Sequence, residues 1–304
     1  MRAAAFHTFG GPEVLQVVEV ATPVAGPGEV RVRVEAAGVQ AYDSAVRSGW
    51  TPPGQIVRFP QIVGNDFAGV VDQTGAGVTD FRTGDDVLGW ALLASCAEYV
   101  VVPTGQVVTK PAGMSWPQAG TLSASAQTAH TALEELKVDA GDTLLIHGAA
   151  GGVGTVAVQL ALAAGATVIG TASPANQDYL ASLGATPTTY GDGLTHRVRA
   201  LATGGVDVAL DAAGGAALDA SLELVADRNR IGTLVDFARA GNLGVRALRS
   251  QRSAQRLQAI TDLYRTGRLT LTVSETFPLD RIADAHRRID TGHARGKTAV
   301  LLRG

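Results

Sequence analysis

The chain of 304 residues contains one cysteine, Cys96. A single thiol excludes an intrachain disulfide and a zinc centre built mainly on thiolates. No apolar run reaches about 18 residues without a Gly or polar break, so no membrane-spanning helix is expected. Excess charge is missing as well. A formal net charge of −3 gives no electrostatic basis for binding nucleic acid or an anionic membrane surface. The start, Met1 to His7, reads as strand and lacks the long apolar core of a signal peptide. A cytoplasmic protein is the expectation. What is present is ordinary globular composition, 46% hydrophobic and 17% charged, over a length that accommodates two domains.

The most informative stretch is 142–164. Leu144, Leu145 and Ile146 lead into a glycine-rich turn, Gly148 to Gly154. A helical pattern follows through Val153, Val156, Ala157, Leu160 and Ala161. Strand, tight turn and helix in that order open a dinucleotide-binding unit, where backbone amides and a helix N-terminus hold a pyrophosphate. The best register for the G-x-G-x-x-G fingerprint is Ala149-Ala150-Gly151-Gly152-Val153-Gly154, with alanine in place of the first glycine. Gly151 would let the backbone approach the pyrophosphate, and Gly154 would let helix and strand pack closely. Ala150, Gly151, Gly152, Val153 and Gly154 are the candidate phosphate-binding residues.

The following strand, Ala166 to Ala172, tests the cofactor type. A site for NAD usually ends this strand with Asp or Glu on the ribose 2′-OH. Here Thr171, Ala172 and Ser173 stand instead, with Asn176 just beyond. No carboxylate would repel a 2′-phosphate, and Ser173 and Asn176 can donate to one. NADPH is the expected cofactor, although no arginine or lysine follows closely. The same two side chains also suit helix capping, and both readings stand.

Residues 1–115 alternate short strand patterns with Gly, Pro and Asp turns. In Glu29–Glu35, Val30, Val32 and Val34 alternate with Arg31 and Arg33, which is the period of a half-buried strand. From Ser115-Trp116-Pro117 the pattern turns helical, running through Ala119, Leu122, Ala126, Ala129 and Leu133. Strand and helix then alternate, which implies a parallel sheet covered on both faces. The tail is mixed again, with a strand over Thr270–Val273, a helix over Leu279–Thr291 and a strand over Thr298–Leu302. The expected fold class is α/β. A dinucleotide-binding domain over 116–267 is inserted into a β-rich domain made of 1–115 and 268–304.

Several segments together carry a family pattern: Gly38 to Ser44, Val63 to Val71, Gly84 to Val87, Ala97 to Val100, Leu122 to Leu133 with Thr128, the glycine turn, and Gly296-Lys297. In order and spacing the chain resembles the medium-chain dehydrogenase/reductase superfamily, and within it the zinc-independent quinone oxidoreductase branch. The resemblance implies a GroES-like catalytic domain, a Rossmann-fold nucleotide domain, NADPH as hydride donor and a homodimer. It places Thr128 by the nicotinamide and Tyr190 at the adenosine phosphate. It also places Ala213 beside the ribose, and Val235 and Phe237 near the nicotinamide amide. Zinc alcohol dehydrogenases of the superfamily carry Cys at the Gln40 position and His-Glu at Asn65-Asp66, and neither Gln40 nor Asn65 is a normal zinc ligand. The six histidines show no clustered ligand spacing. A metal-free enzyme must deliver hydride to an acceptor already activated by conjugation. A quinone or α,β-unsaturated carbonyl qualifies, and a carrier- or thioester-bound enoyl group is the alternative substrate. An NADPH-binding sensor with little catalysis is the reading from another class. Catalysis on a conjugated acceptor needs a hydrogen-bond donor and a proton source. Gln40 and Tyr42 are the candidates, with a packed aromatic as the other reading of Tyr42. Thr128 could likewise be a hydroxyl satisfied by its own helix.

Overall fold

A computed structural model describes residues 1–303. The chain opens with β1 (Arg2–Phe6), β2 (Leu15–Glu19), β3 (Glu29–Val39) and helix α1 (Ala41–Arg47). Next come β4 (Gln61–Ile62), β5 (Asp66–Thr74), β6 (Asp86–Trp90), β7 (Tyr99–Pro103), β8 (Val107–Thr109), α2 (Trp116–Gly120) and α3 (Ser123–Glu135). Strand and helix then alternate: β9 (Thr143–His147), α4 (Gly152–Ala163), β10 (Thr167–Ala172), α5 (Gln177–Ser182), β11 (Thr186–Thr189) and α6 (Leu194–Leu201). The alternation continues through β12 (Val208–Asp211), α7 (Ala216–Leu224), β13 (Ile231–Thr233), α8 (Phe237–Leu243) and β14 (Arg246–Ala247). Last are α9 (Ala254–Arg265), β15 (Val273–Pro278), α10 (Ile282–Asp290) and β16 (Lys297–Leu301). These elements form two compact units. One holds Met1–Ala124, Ser253–Arg265 and the chain from Leu271 onward; the other holds Ser125–Arg252 and Thr266–Thr270.

The first unit is built on β3. Val30, Val32 and Val34 are fully buried, while Arg31 on the other face pairs with Asp72 at 3.0 Å. Eleven residues give this strand room for three partners. β5 lies antiparallel along one edge, and β7 and β16 share the other. Among the described residues the main sheet has seven strands, and β2-β1-β4 forms a smaller one. The expected helix beyond Pro117 is split into α2 and α3. At the end of α2, a Cβ on Gly120 would stand 2.5 Å from the Ala36 carbonyl oxygen, so the α2 backbone lies directly on β3. Ser115 caps α2, accepting from the Gln118 amide, as the sequence leads one to expect. The tail strand begins later than its pattern suggested, at Val273, and runs parallel to β16.

The second unit carries a six-stranded parallel sheet in the order β11-β10-β9-β12-β13-β14. Counted along the chain this is 3-2-1-4-5-6, the order of doubly wound dinucleotide folds. Leu144, Leu145 and Ile146 of β9 are fully buried, as a central parallel strand covered on both faces requires. The order reverses at β9, so the turn after β9 sits at the switch point where such sheets bind ligands.

Candidate active site

In the second unit, the backbone shapes the candidate cofactor site. Gly148 takes a left-handed φ of +69°, and its carbonyl accepts from the Gly151 amide at 3.1 Å. Gly151 is the N-cap of α4, and no side-chain hydrogen bond caps this 12-residue helix. Its first amides and its positive dipole end therefore suit a phosphate. A Cβ on Gly154 would stand 2.4 Å from the Gly148 oxygen and 2.6 Å from Ala149 Cα, so only glycine fits there. Ala150 through Gly154 thus form one cradle, and its chemistry fits a pyrophosphate.

At the end of β10, neither Ser173 nor Asn176 caps a helix through its side chain. Asn176 Nδ2 instead donates to Ser173 Oγ at 3.3 Å. The capping alternative is not what the fold uses. Gln177 Nε2 meets the carbonyls of Ala172, Ser173 and Thr188, tying the ends of β10 and β11 together. Tyr190 follows β11 and is 52% exposed. Arg197 of α6 donates to the carbonyls of Thr189 and Asp192 at 2.9 and 2.6 Å. Thr189 lies opposite Ala172 in the sheet. The pairing of β10 with β11 thus brings a basic residue of α6 to the carbonyls at the end of β11, beside the end of β10.

Beyond β12, buried Asp211 organises the turn. Its carboxylate accepts from the Ala213 and Gly214 amides at 2.9 and 2.7 Å and from Thr233 Oγ1 at 2.7 Å. β13 ends at Thr233, and Val235 lies beyond it. Thr233 Oγ1 accepts from the Val235 and Asp236 amides, which turns the chain out of β13 at Thr233. Val235 is 48% exposed, and a Cβ on Gly214 would lie 3.2 Å from its Cγ2. Ala213 and Val235 thus flank adjacent strand ends. Phe237 opens α8 with the Arg249 guanidinium 5.1 Å from its ring centre. Thr128 is half-buried on α3.

In the first unit, side chains shape the site. Gln40 occupies the N-cap position of α1. Its backbone N–H donates to Asp43 Oδ2 at 2.9 Å, and its Nε2 donates to Asp66 Oδ2 at 2.7 Å. The other Asp66 oxygen accepts from the Ala124 amide at 2.7 Å. Asp43 Oδ1 accepts from the Gly64 amide and Asn65 Nδ2 at 3.1 and 3.3 Å. Both carboxylates are fully buried. Burial pushes the Cys96 thiol well up, and the Asp43 and Asp66 charges push it further. Tyr42 is half-buried and meets Trp50 edge to face at 5.5 Å, and Trp50 is 41% exposed.

The donor set at this place does not suit zinc. Gln40 and Asn65 turn their amide N–H groups to carboxylates, and the one thiol is buried and held protonated. No cluster of three or more His, Cys, Asp or Glu suited to a metal occurs among the described residues. Among them, no helix is long and apolar enough to cross a membrane.

Comparison with known proteins gives matches along the chain. Residues 26–112 match the alcohol dehydrogenase GroES-like domain, and residues 183–300 match the family described as zinc-binding dehydrogenase. The quinone oxidoreductase of Pseudomonas aeruginosa is 32% identical, covering 97% of this chain and 98% of that protein. A solved NAD-dependent alcohol dehydrogenase is 30% identical with a TM-score of 0.89, covering 100% of both chains. A mycobacterial protein solved with NADPH is 28% identical with a TM-score of 0.87, covering 99% of this chain and 100% of that one.

Proposed function

The chain belongs to the medium-chain dehydrogenase/reductase superfamily, in its quinone oxidoreductase-like branch, and from that premise we propose that it reduces a quinone or α,β-unsaturated carbonyl with NADPH. The observation that carries the reading is the β9–α4 turn. It is a backbone cradle at the switch point of the sheet, followed by a β10 end without a carboxylate.

When bound, NADPH supplies a hydride. The amides at the start of α4, from Gly151 to Gly154 with Ala150 beside them, hold its pyrophosphate. Ser173, Asn176 and Tyr190 take the 2′-phosphate end, and the Arg197 charge favours the anion there. Ala213 adjoins the ribose, and Thr128, Val235 and Phe237 belong to the nicotinamide end. Gln40 donates an amide N–H to the acceptor oxygen on which negative charge collects. Asp66 fixes the orientation of that amide, so little reorganisation is needed as charge develops. Tyr42 orients the acceptor or gives it a proton, and the Tyr42–Trp50 pair offers an aromatic wall to a flat, conjugated molecule. Two N–H donors where zinc ligands would stand favour an acceptor that needs no Lewis acid. The same reading carries a cytoplasmic homodimer, which light scattering of the purified protein checks.

The test is NADPH oxidation against a quinone, an enone, an enoyl thioester and a simple ketone, with NADH in parallel. Turnover of the quinone or enone with NADPH preferred is the expected result. Equal use of NADH removes the cofactor assignment. Turnover of the thioester alone moves the substrate to a carrier-bound enoyl group, and binding without any turnover makes the protein a sensor.

A further inference from the structure

A chain of buried polar groups runs behind the turn. Gly148 N–H donates to Thr171 Oγ1 at 3.4 Å, and Thr171 Oγ1 lies 3.4 Å from His147 Nδ1. His147 Nε2 lies 3.0 Å from Ser221 Oγ, and Ser221 donates to the Ala217 carbonyl at 3.1 Å. Thr171, His147 and Ser221 are all buried. With the Ser221 hydroxyl hydrogen on Ala217, one arrangement satisfies every group: the neutral imidazole, which has one N–H, donates from Nε2 to Ser221 and accepts at Nδ1 from Thr171, whose oxygen accepts from Gly148.

Burial holds His147 neutral, lowering its pKa to about 4 against a smaller opposing effect of Asp211. The neutral form this network requires is therefore the one present at neutral pH. The amide that Thr171 Oγ1 accepts from lies in the His147–Gly148 peptide, and the Gly148 carbonyl that accepts from Gly151 and underlies Gly154 follows in the next peptide, across the left-handed Gly148 φ of +69°.

We propose that His147, through Thr171, is a positioning residue that sets the His147–Gly148 peptide plane at the entry to the turn and with it the affinity of the turn for the dinucleotide. This rests on the reading that the turn binds NADPH. It goes beyond that reading by giving a buried strand-end histidine a specific task.

The test uses isosteric variants of the full chain, an NADPH fluorescence titration, and KM and kcat measured separately. Asparagine at 147 keeps an acceptor at the Nδ1 place, whereas glutamine keeps only a donor at the Nε2 place. Thr171→Val and His147→Gln should weaken NADPH binding about five- to tenfold, the size of one lost hydrogen bond, raising the NADPH KM with kcat nearly unchanged. His147→Asn and Thr171→Ser should bind within about twofold of the parent, even where their melting temperature falls. Equal NADPH affinity across all four variants, or equal losses in His147→Asn and His147→Gln, overturns the proposal. A parent protein that binds neither NADPH nor NADH overturns the reading of the turn itself, and the proposal with it.

Discussion

Each unit carries a candidate site, and the two are made of different material. The proposed cofactor site of the second unit is backbone: a left-handed Gly148, amides at the start of α4, and a glycine at 154 that no other residue can replace. The proposed acceptor site of the first unit is side chain: Gln40 held by Asp66 and Asp43, and Tyr42 against Trp50. Backbone sites constrain every residue of a short segment, so they leave a contiguous motif. Side-chain sites are assembled from distant segments and leave scattered single residues.

Breaking the backbone half should have the largest effect. Gly154→Val places a side chain where a Cβ already meets Gly148 at 2.4 Å. We expect NADPH binding to fall by about a hundredfold or more, with a stability loss of about 1–3 kcal/mol from overpacking. Calorimetric titration and denaturant unfolding measure the two. The side-chain half should break more gradually. Asp66→Asn puts an amide where two donors, Gln40 Nε2 and the Ala124 N–H, now converge. Unfolding in urea should show a loss of about 2 kcal/mol.

A pH effect of similar size belongs to both units. Burial lowers the pKa of His147 to about 4. His286 is lowered to about 3 by burial, then by the Arg47 charge, against Asp290. Both are therefore neutral in the fold, whereas unfolded histidine protonates near its ordinary 6.5. Below that value the unfolded chain binds more protons, so stability falls as pH drops. It is complete above about pH 6.5 and lost down to about 4 for His147 and about 3 for His286, at up to about 1.4 kcal/mol per pH unit for each. Unfolding measured at pH 7 and pH 5 checks this, and a flat profile would show that the histidines are not buried neutral. The smallest effect should come from the aromatic wall. Trp50→Ala should raise KM for a bicyclic quinone about three- to tenfold, the worth of one aromatic contact, and leave NADPH affinity alone.

The same contrast explains what was legible in the sequence. The α/β class, the parallel sheet and the Gly148–Gly154 turn follow from periodicity and glycine spacing, because each is a local pattern. Arg197 is separated from Ser173 by a strand and joins that region only through the pairing of β10 with β11. The bond of Asp66 to Gln40 depends on the chain returning after α1. The end of β13 depends on Thr233, whose hydroxyl bonds the Val235 and Asp236 amides. Nothing local to His147 announces Ser221, 74 residues on, as its partner. Where side chains far apart in sequence set the geometry, local patterns are silent.

The central claim is that cofactor binding and acceptor activation are separate tasks of the two units. Gln40→Ala tests it most directly, with NADPH affinity and quinone reduction measured on the same preparation. NADPH affinity should remain that of the parent, while kcat should fall by about tenfold to a hundredfold for want of the amide donor. Unchanged kcat, or a kcat that falls only in step with lost NADPH binding, would contradict it.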